Sequence, residues 1–418
     1  MLENKEKTKF QYKLANNWLT KGACGSYILP TGVSKTRIGI IVAKHLIDTH
    51  GYSKEDIQVL APTESIRDRS WPDEIIKWIG KEYLKHIDIQ CINSVYKDKV
   101  NKKLIIADEI HNYVCNFNDY VDGTKEFVKY LSDNNHERIL GLSAFVPTNK
   151  RKVLHEIAPI LYEMPIEVAL AKGFISNFQI YNIPVQFTQD QKDNYNEIEK
   201  EIDKYANKLG GASIAYSNME SIMKGLRGRD IKSLSKENQV AFGISLKYRK
   251  LINIRKELLV TNKNKIEVCN ILIDAYSDKS IVFSSSKDFA NTLASTRKYY
   301  SAVHSGISKV KRTKILEDFA EDDSNIKSLS AVNAINEGVN VPKVKLSILA
   351  SGHSTIKDLL QRLGRNLRVI AGEKSAIFIQ LYIPNTQDEK WLRGRIYKIP
   401  KNKVFEFKSY KDILPLLK

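Results

Sequence analysis

Leu29-Pro30-Thr31-Gly32-Val33-Ser34-Lys35-Thr36 is the stretch on which the reading of this chain turns. A short apolar run, Tyr27-Ile28-Leu29, leads into it, and an amphipathic run with Ile38, Ile41, Val42 and Leu46 leads out. That pattern predicts a strand, a tight turn and a helix. Such a turn aims backbone N–H groups and a helix N-terminus at one spot, which suits phosphate. Lys35 is then placed to reach β- and γ-phosphates, and the Thr36 hydroxyl to hold magnesium. Gly32 allows backbone to approach phosphate closely, and Thr31, Val33 and Ser34 complete the loop. The usual pattern has Gly directly before the Lys, where this chain has Ser34. Taken alone, the octapeptide also fits an ordinary strand–helix turn with a solvated Lys.

The surroundings decide between the two. At 418 residues the chain is long enough for two or three domains. Apolar residues make up 42% and charged residues 27%, the balance of a globular chain. Lys and Arg total 66 against 48 Asp and Glu, a formal net charge of +18 that favours a polyanionic partner, nucleic acid ahead of a membrane surface. A Lys-rich surface without such a partner is the bland alternative. Cys24, Cys91, Cys115 and Cys269 lie far apart, without a CxxC pair, and read as reduced thiols of a cytosolic protein. The polar start, Met1-Leu2-Glu3-Asn4-Lys5, and the lack of a long apolar run predict neither secretory signal nor membrane span. The expected setting is the cytoplasm.

Residues 8–21 read as a helix with Phe10, Leu14, Trp18 and Leu19 on its apolar face. Its Gln11 carries an amide that both donates and accepts, which suits an adenine edge; a solvated helix position is the plainer reading. From Ile28 to about Val185, apolar strands (Ile57–Leu60, Leu104–Ala107, Ile139–Leu142) alternate with helical stretches, which predicts βαβ units and a parallel sheet. Ligands of such sheets bind beyond the carboxyl ends of the strands. Polar clusters stand there: Pro62-Thr63-Glu64, Asp108-Glu109-Ile110-His111 and Ser143-Ala144. Beside a bound phosphate, Asp108 suits magnesium and Glu109 the attacking water; a solvated acidic turn is the alternative.

Residues 186–262 are rich in Lys, Glu, Asn and Tyr and read as a helical insertion, helical over Tyr195–Leu209 and Val240–Leu259. A solvated connector and a nucleic-acid grip are both open for it. From Lys263 the α/β pattern returns, with strands at Ile281–Phe283, Ser301–Val303, Leu346–Ala350 and Ala376–Ile379, and without a second phosphate loop. In Gln361-Arg362-Leu363-Gly364-Arg365-Asn366-Leu367-Arg368, a helix would set Gln361, Arg365 and Arg368 on one face. Such a face is costly to bury unless it meets an anion, and arginines offered across a cleft to a γ-phosphate contribute about 10³–10⁵ in rate; a solvated salt-bridge helix is the other reading. Beyond Ile383 the chain is basic, with Lys390, Arg393, Arg395, Lys398, Lys401 and Lys403 around Trp391 and Tyr397. That mixture fits a nucleic-acid backbone and fits a packed terminal element equally well.

In this order, over residues 8–395, the pieces resemble the superfamily 2 helicases and translocases, most of all the DExH group of phage DNA helicases, restriction motor subunits and excision-repair helicases. Leu29–Thr36 resembles motif I, and Ala61-Pro62-Thr63 with Trp71 and Glu74 resembles motif Ia and its Trp-x-x-Glu. Asp108–His111 resembles motif II in its DExH form, Ser143-Ala144-Phe145 motif III, Ala169–Ile175 the link out of the first lobe and Val282-Phe283-Ser284 motif IV. Asn336–Pro342 is similar to motif V and Gln361–Arg368 to motif VI.

The resemblance implies two RecA-like lobes, 1–185 and 263–385, with the insertion 186–262 between them and a basic extension at 386–418. It implies ATP and magnesium between the lobes, hydrolysis to ADP and phosphate, and movement along nucleic acid. Arg365 and Arg368, with Gln361, then join Lys35 and Glu109 in the catalytic set, and Gly338 joins Gln11 and the loop at the nucleotide. Thr63, Arg67, Ser284, Asn336 and Glu337 are the residues implied at the nucleic-acid strand. Three departures stand out: Ser34 for Gly, Phe145 for a hydroxyl residue and Asn340 for Asp. The leading expectation is a monomeric ATP-dependent DNA helicase or translocase of recombination, repair or replication, with replication, repair or defence proteins as further partners. An RNA helicase, a restriction or defence motor subunit, and a remodeller with weakened ATPase are the alternatives.

Overall fold

The structure is a computed structural model that describes residues 4–121, 126–133, 136–226, 228, 230, 235–332, 344–352, 375–396 and 399–417. The motif V and motif VI stretches, with Asn336, Glu337, Gly338, Gln361, Arg365 and Arg368, lie outside the described residues.

Continuous apolar runs make central strands of parallel sheets, because both faces are covered. Ile57–Ala61, Leu104–Asp108 and Ile139–Ser143 are buried along their whole length. The first sheet consists of β1 (Cys24–Ile28), β2 (Ile57–Ala61), β3 (Asp88–Cys91), β4 (Leu104–Asp108), β5 (Ile139–Ser143) and β6 (Ile160–Glu163), in the spatial order β3-β2-β4-β5-β1-β6. All its pairings are parallel. Successive side chains leave a strand on opposite faces. Val59, Ile106 and Leu142 therefore join Leu14 and Trp18 of α1 (Lys5–Thr20), Ile38 of α2 (Lys35–His50) and Ile75 of α3 (Trp71–Ile79). Leu60, Ile105 and Ala107 turn the other way, toward Val128, Val153 and Leu154.

The second sheet holds β7 (Phe178–Pro184), β8 (Ser280–Phe283), β9 (Tyr300–Val303), β10 (Ser328–Ala331), β11 (Leu346–Leu349), β12 (Ala376–Tyr382) and β13 (Val404–Glu406), ordered β13-β7-β12-β11-β8-β10-β9. The fold is thus two parallel-sheet α/β lobes with helices between them. Strand β7 precedes the helical stretch in sequence yet pairs with β12 along its whole length, so residues 178–184 sit in the second sheet rather than at the end of the first. Between β7 and β8, the helix Gln189–Lys208, opened by a Thr188 capping box, packs with Ala215–Gly225 and Lys236–Val260 around a small core of Ile198, Ile202, Met219, Tyr248 and Leu251.

The basic stretch after Ile383 is also part of the second lobe. Strand β13 pairs with β7. Trp391 packs against Tyr195, Leu259 and Ile383, and Arg395 is 1% exposed, donating to Gln380 Oε1 at 3.0 Å and to the Gly352 carbonyl at 2.8 Å. Here the packed-element reading holds, because these cations are spent on protein acceptors. Among the described residues no helix is long and apolar enough to cross a membrane.

Candidate functional site

The first sheet brings its polar strand ends to one edge. Strand β5 lies between β1 and β4, with Ile28 opposite Ser143 and Asp108 opposite Leu142. The turn 29–34 thereby emerges beside the Asp108-Glu109 pair. Gly141 is required for this closeness: a Cβ there would meet Ser26 Oγ at 2.1 Å and Ile110 Cδ1 at 2.8 Å.

The turn is tied down from two sides. Leu29 N–H donates to the Ser143 carbonyl at 2.9 Å, and Val33 N–H to the Pro30 carbonyl at 3.2 Å. On the other side α1 clasps it: Lys7 Nζ donates to the Gly32 carbonyl, and Gln11 Nε2 to the Val33 carbonyl at 2.9 Å. Burial lowers the Lys7 amine to about 8, with the nearby Arg37 charge acting the same way. Gln11 is 1% exposed, so the solvated reading fails. Lys7, Gln11, Leu14 and Trp18 follow helical spacing, and that one face packs onto the turn and the sheet. Gly32 has φ +97°. Ser34, the N-cap of α2, is left-handed too, with φ 64° and ψ 61°, and makes no side-chain cap. Left-handed backbone costs a non-glycine residue about 1–2 kcal/mol.

Lys35 opens α2, is 9% exposed, and holds Nζ 3.8 Å from Glu109 Oε1. Glu109 is itself left-handed, φ 51° and ψ 50°. Its Oε2 accepts from Ser143 Oγ at 3.3 Å and from Ala144 N–H at 3.4 Å, and lies 3.3 Å from His111 Nδ1. Ser143 Oγ is also 2.8 Å from the Phe145 carbonyl and 2.6 Å from His111 Nδ1. One hydroxyl hydrogen cannot serve every acceptor. Given to the Phe145 carbonyl, it leaves His111 Nδ1–H to donate to Ser143. Glu109, His111 and Ser143 are therefore one network rather than a solvated acidic turn.

Asp108 is 8% exposed, and its Oδ2 accepts from Trp71 Nε1 at 3.0 Å. Burial, then the neighbouring Glu109 charge, pushes its carboxyl above the ordinary range. Burial pushes Glu109 the same way, but Lys35, His111 and the Ala144 N–H outweigh it and hold Glu109 low. One carboxyl of the pair resists ionisation and the other keeps its charge, an arrangement common at reactive sites. Two polar atoms point to a missing occupant: Thr31 Oγ1 and Gln11 Oε1 are buried without a hydrogen-bond partner.

The nucleic-acid candidates are more scattered. Thr63 caps a turn, with Ile66 N–H 3.4 Å from its Oγ1. Arg67, in the π-wound turn Ile66–Ser70, makes a fork to Asp68 at 2.6 and 3.2 Å. Ser284 is fully buried, and its hydroxyl donates to the Ser286 carbonyl at 3.0 Å. Sequence reasoning did not identify Trp71 as the partner of Asp108, or Lys7 as a clasp on the turn. The i, i+4 spacing of Lys7 and Gln11 was the one available signal for the latter; nothing local signals the former.

Residues 263–370 match the helicase conserved C-terminal domain. The DNA 3'-5' translocase XPB2 of Sulfurisphaera tokodaii is 25% identical over 405 residues, covering 92% of this chain and 83% of that protein. The ATP-dependent RNA helicase DBP3 of Yarrowia lipolytica is 34% identical over 111 residues, 26% of this chain and 19% of that one. Among solved structures, the Pyrococcus furiosus Hef helicase domain aligns with a TM-score of 0.56 at 14% identity, covering 92% of this chain and 97% of that one. S. cerevisiae Dbp5 bound to RNA and ADP BeF3 aligns with a TM-score of 0.60 at 12% identity, covering 98% and 93%. At such identities the structural likeness is one of fold. Sequence likeness along most of the chain and the shared two-lobe fold agree: this is a superfamily 2 helicase, a chain that hydrolyses ATP in dependence on nucleic acid.

Proposed function

We propose that the chain is a DNA helicase or translocase whose nucleotide site is the edge formed by the turn 29–34 and the ends of β4 and β5. The observation that carries this reading is the convergence of Lys35 with the Asp108-Glu109 pair, at 3.8 Å from Lys35 Nζ to Glu109. Lys35 and the N-terminus of α2 hold phosphate oxygens. Gln11, its donor spent on the Val33 carbonyl, offers Oε1 to an amine of the base. Thr36 and Asp108 supply a hydroxyl and a carboxylate, the hard oxygen donors that suit magnesium. Bound there, the cation neutralises charge developing on the phosphates. Glu109, kept ionised by Lys35 and His111, accepts a proton as water attacks the γ-phosphorus and the bond to the bridging oxygen breaks.

Arg365, Arg368 and Gln361 complete the set in this reading, with Gly338 at the nucleotide. Thr63, Arg67, the Ser284 turn, Asn336 and Glu337 face the strand. The first lobe then ends near Ile175, and the second gathers β7 and the residues after 386. DNA is favoured because the likeness to the DNA translocase spans 92% of the chain, against 26% for the RNA helicase of Yarrowia. DExH subtype and a role in repair, recombination or phage replication rest on the motif spelling alone.

The test is ATPase stimulation by matched single-stranded DNA, duplex DNA, branched DNA and RNA. Severalfold stimulation by a DNA, abolished in Lys35→Ala and Glu109→Gln, is expected. Greater stimulation by RNA than by every DNA favours the RNA helicase reading. Stimulation that survives Lys35→Ala excludes this edge as the site.

A further inference from the structure

Trp71 touches three parts of the first lobe at once. Its Nε1–H donates to Asp108 Oδ2 at 3.0 Å. Its ring rests against α2, where a Cβ added at Gly39 would lie 3.0 Å from Trp71 Cη2. Its backbone N–H donates to the Ile66 carbonyl and closes the turn Ile66–Ser70. That turn is π-wound, a form associated with functional sites because one residue too many is held in it. It carries Arg67 and follows Thr63, whose carbonyl accepts from Arg67 N–H at 3.0 Å. The ring is 1% exposed, so the indole moves only with its surroundings.

We propose that Trp71 is a positioning residue that fixes Asp108 for the cation and carries movement of the strand-facing turn 63–70 to that carboxylate. The proposal rests on the nucleotide-site reading above. One indole donor on Oδ2 sets the rotation of the carboxyl group and leaves its other oxygen to point elsewhere. A partner of this kind behind a metal-binding carboxylate commonly affects metal affinity about 10- to 100-fold when removed. A displacement of the turn 63–70 pulls the same indole, so nucleic acid and cation affect each other's binding reciprocally.

The test uses the full chain and a fluorescent ADP analogue, titrated with magnesium and with EDTA. The quantity read is the tightening of ADP binding that magnesium produces, with and without duplex DNA. Trp71→Phe removes the donor but leaves a smaller ring. Site-specific benzothienylalanine at position 71 keeps the two-ring shape and replaces N–H by sulfur, so it answers the question should the Phe variant not fold. Both are expected to bind the analogue in EDTA as wild type does and to lose about 10-fold of the magnesium-dependent tightening. DNA should change the tightening in wild type and leave it unchanged in both variants. Wild-type tightening in the benzothienylalanine protein overturns the proposal. If wild type shows no tightening, or Lys35→Ala binds the analogue equally well, the nucleotide-site reading itself is wrong.

Discussion

The two sheets share an architecture and use charge in opposite ways. In the first, the strand ends carry Lys35, Asp108 and Glu109, close together and incompletely satisfied, on a backbone held left-handed at Ser34 and Glu109. In the second, the polar residues at the described strand ends are buried serines, Ser284 and Ser351. Its charges close on each other: Lys265 and Asp388 pair at 2.6 Å while 0% and 2% exposed, with Leu259 O accepting from the amine and Ile383 N–H donating to the carboxylate. Asn182, Gln380 and Arg395 form a second closed chain. Strain and unpaired polar atoms mark a place kept for a ligand; saturated pairs mark a place kept for the fold. The comparison concerns the described scaffold, since the Gln361–Arg368 run lies outside it.

The sharpest way to break this contrast is to open the closed pair. Asp388→Asn leaves Lys265 buried without its counter-ion, at a cost of about 3–5 kcal/mol. Thermal unfolding should show a large loss, with ADP affinity of the folded protein unchanged. Converting both partners, Lys265→Met with Asp388→Leu, should recover most of that loss. A nucleotide-affinity change in the folded single variant would instead make the pair part of the site.

Lys35→Ala is the complementary experiment. Losing one preorganised cation at developing phosphate charge costs about 10²–10³ in turnover. The unfolding midpoint should hold or rise, because Lys35 is near-buried and has only a 3.8 Å contact to Glu109 to lose. A fall in stability comparable to that of Asp388→Asn would erase the distinction between the sheets.

How much of this was legible depends on whether a feature is local. Ile57–Leu60, Leu104–Ala107 and Ile139–Leu142 announced themselves as uniformly apolar runs. Strand β10, Ser328-Leu329-Ser330-Ala331, did not, because small buried residues carry no hydrophobic signal. The sheet that β7 joins is set by pairing with β12, far along the chain, and no local pattern encodes it. In the site, Lys35, Asp108 and Glu109 were readable by spacing and residue type. The Trp71–Asp108 bond and the His111–Ser143 contact exist only once β4, β5 and α3 are assembled. Gln11 read as solvated because its neighbours in sequence are polar, although the Lys7-Gln11-Leu14-Trp18 face is covered.

Acid sharpens the first-sheet side of the contrast. Asp108 must be ionised to hold a cation, and burial together with Glu109 raises its carboxyl above the ordinary 3.8. Magnesium-dependent ADP binding should therefore fall off on the acid side at a higher pH than an ordinary aspartate gives. In Glu109→Gln one of the two causes is gone, and the acid limb should move down. A limb that stays in place would show that Glu109 does not act on Asp108. Stability is a poor readout here. The raised carboxyl of Asp108 works against folding above its folded-state pKa and is relieved as pH falls through it. The lowered carboxyl of Glu109 contributes above its unfolded-state value and is lost as pH falls, so the two oppose each other.

The smallest expected effect is also the most local. Ser34 stands at φ 64° where a glycine would be unstrained. Relief of the left-handed backbone is worth about 1–2 kcal/mol, and the added freedom of glycine in the unfolded chain offsets about 0.4–1 kcal/mol of it. Ser34→Gly should therefore raise stability by less than about 1.5 kcal/mol. It also removes a side chain from the rim of the turn, so ADP affinity should tighten by a small factor. If instead affinity falls while stability rises, the hydroxyl of Ser34 is a ligand contact. In that case the strain is retained for binding, as it would be at Glu109, and the first sheet carries two functional outliers on adjacent strand ends.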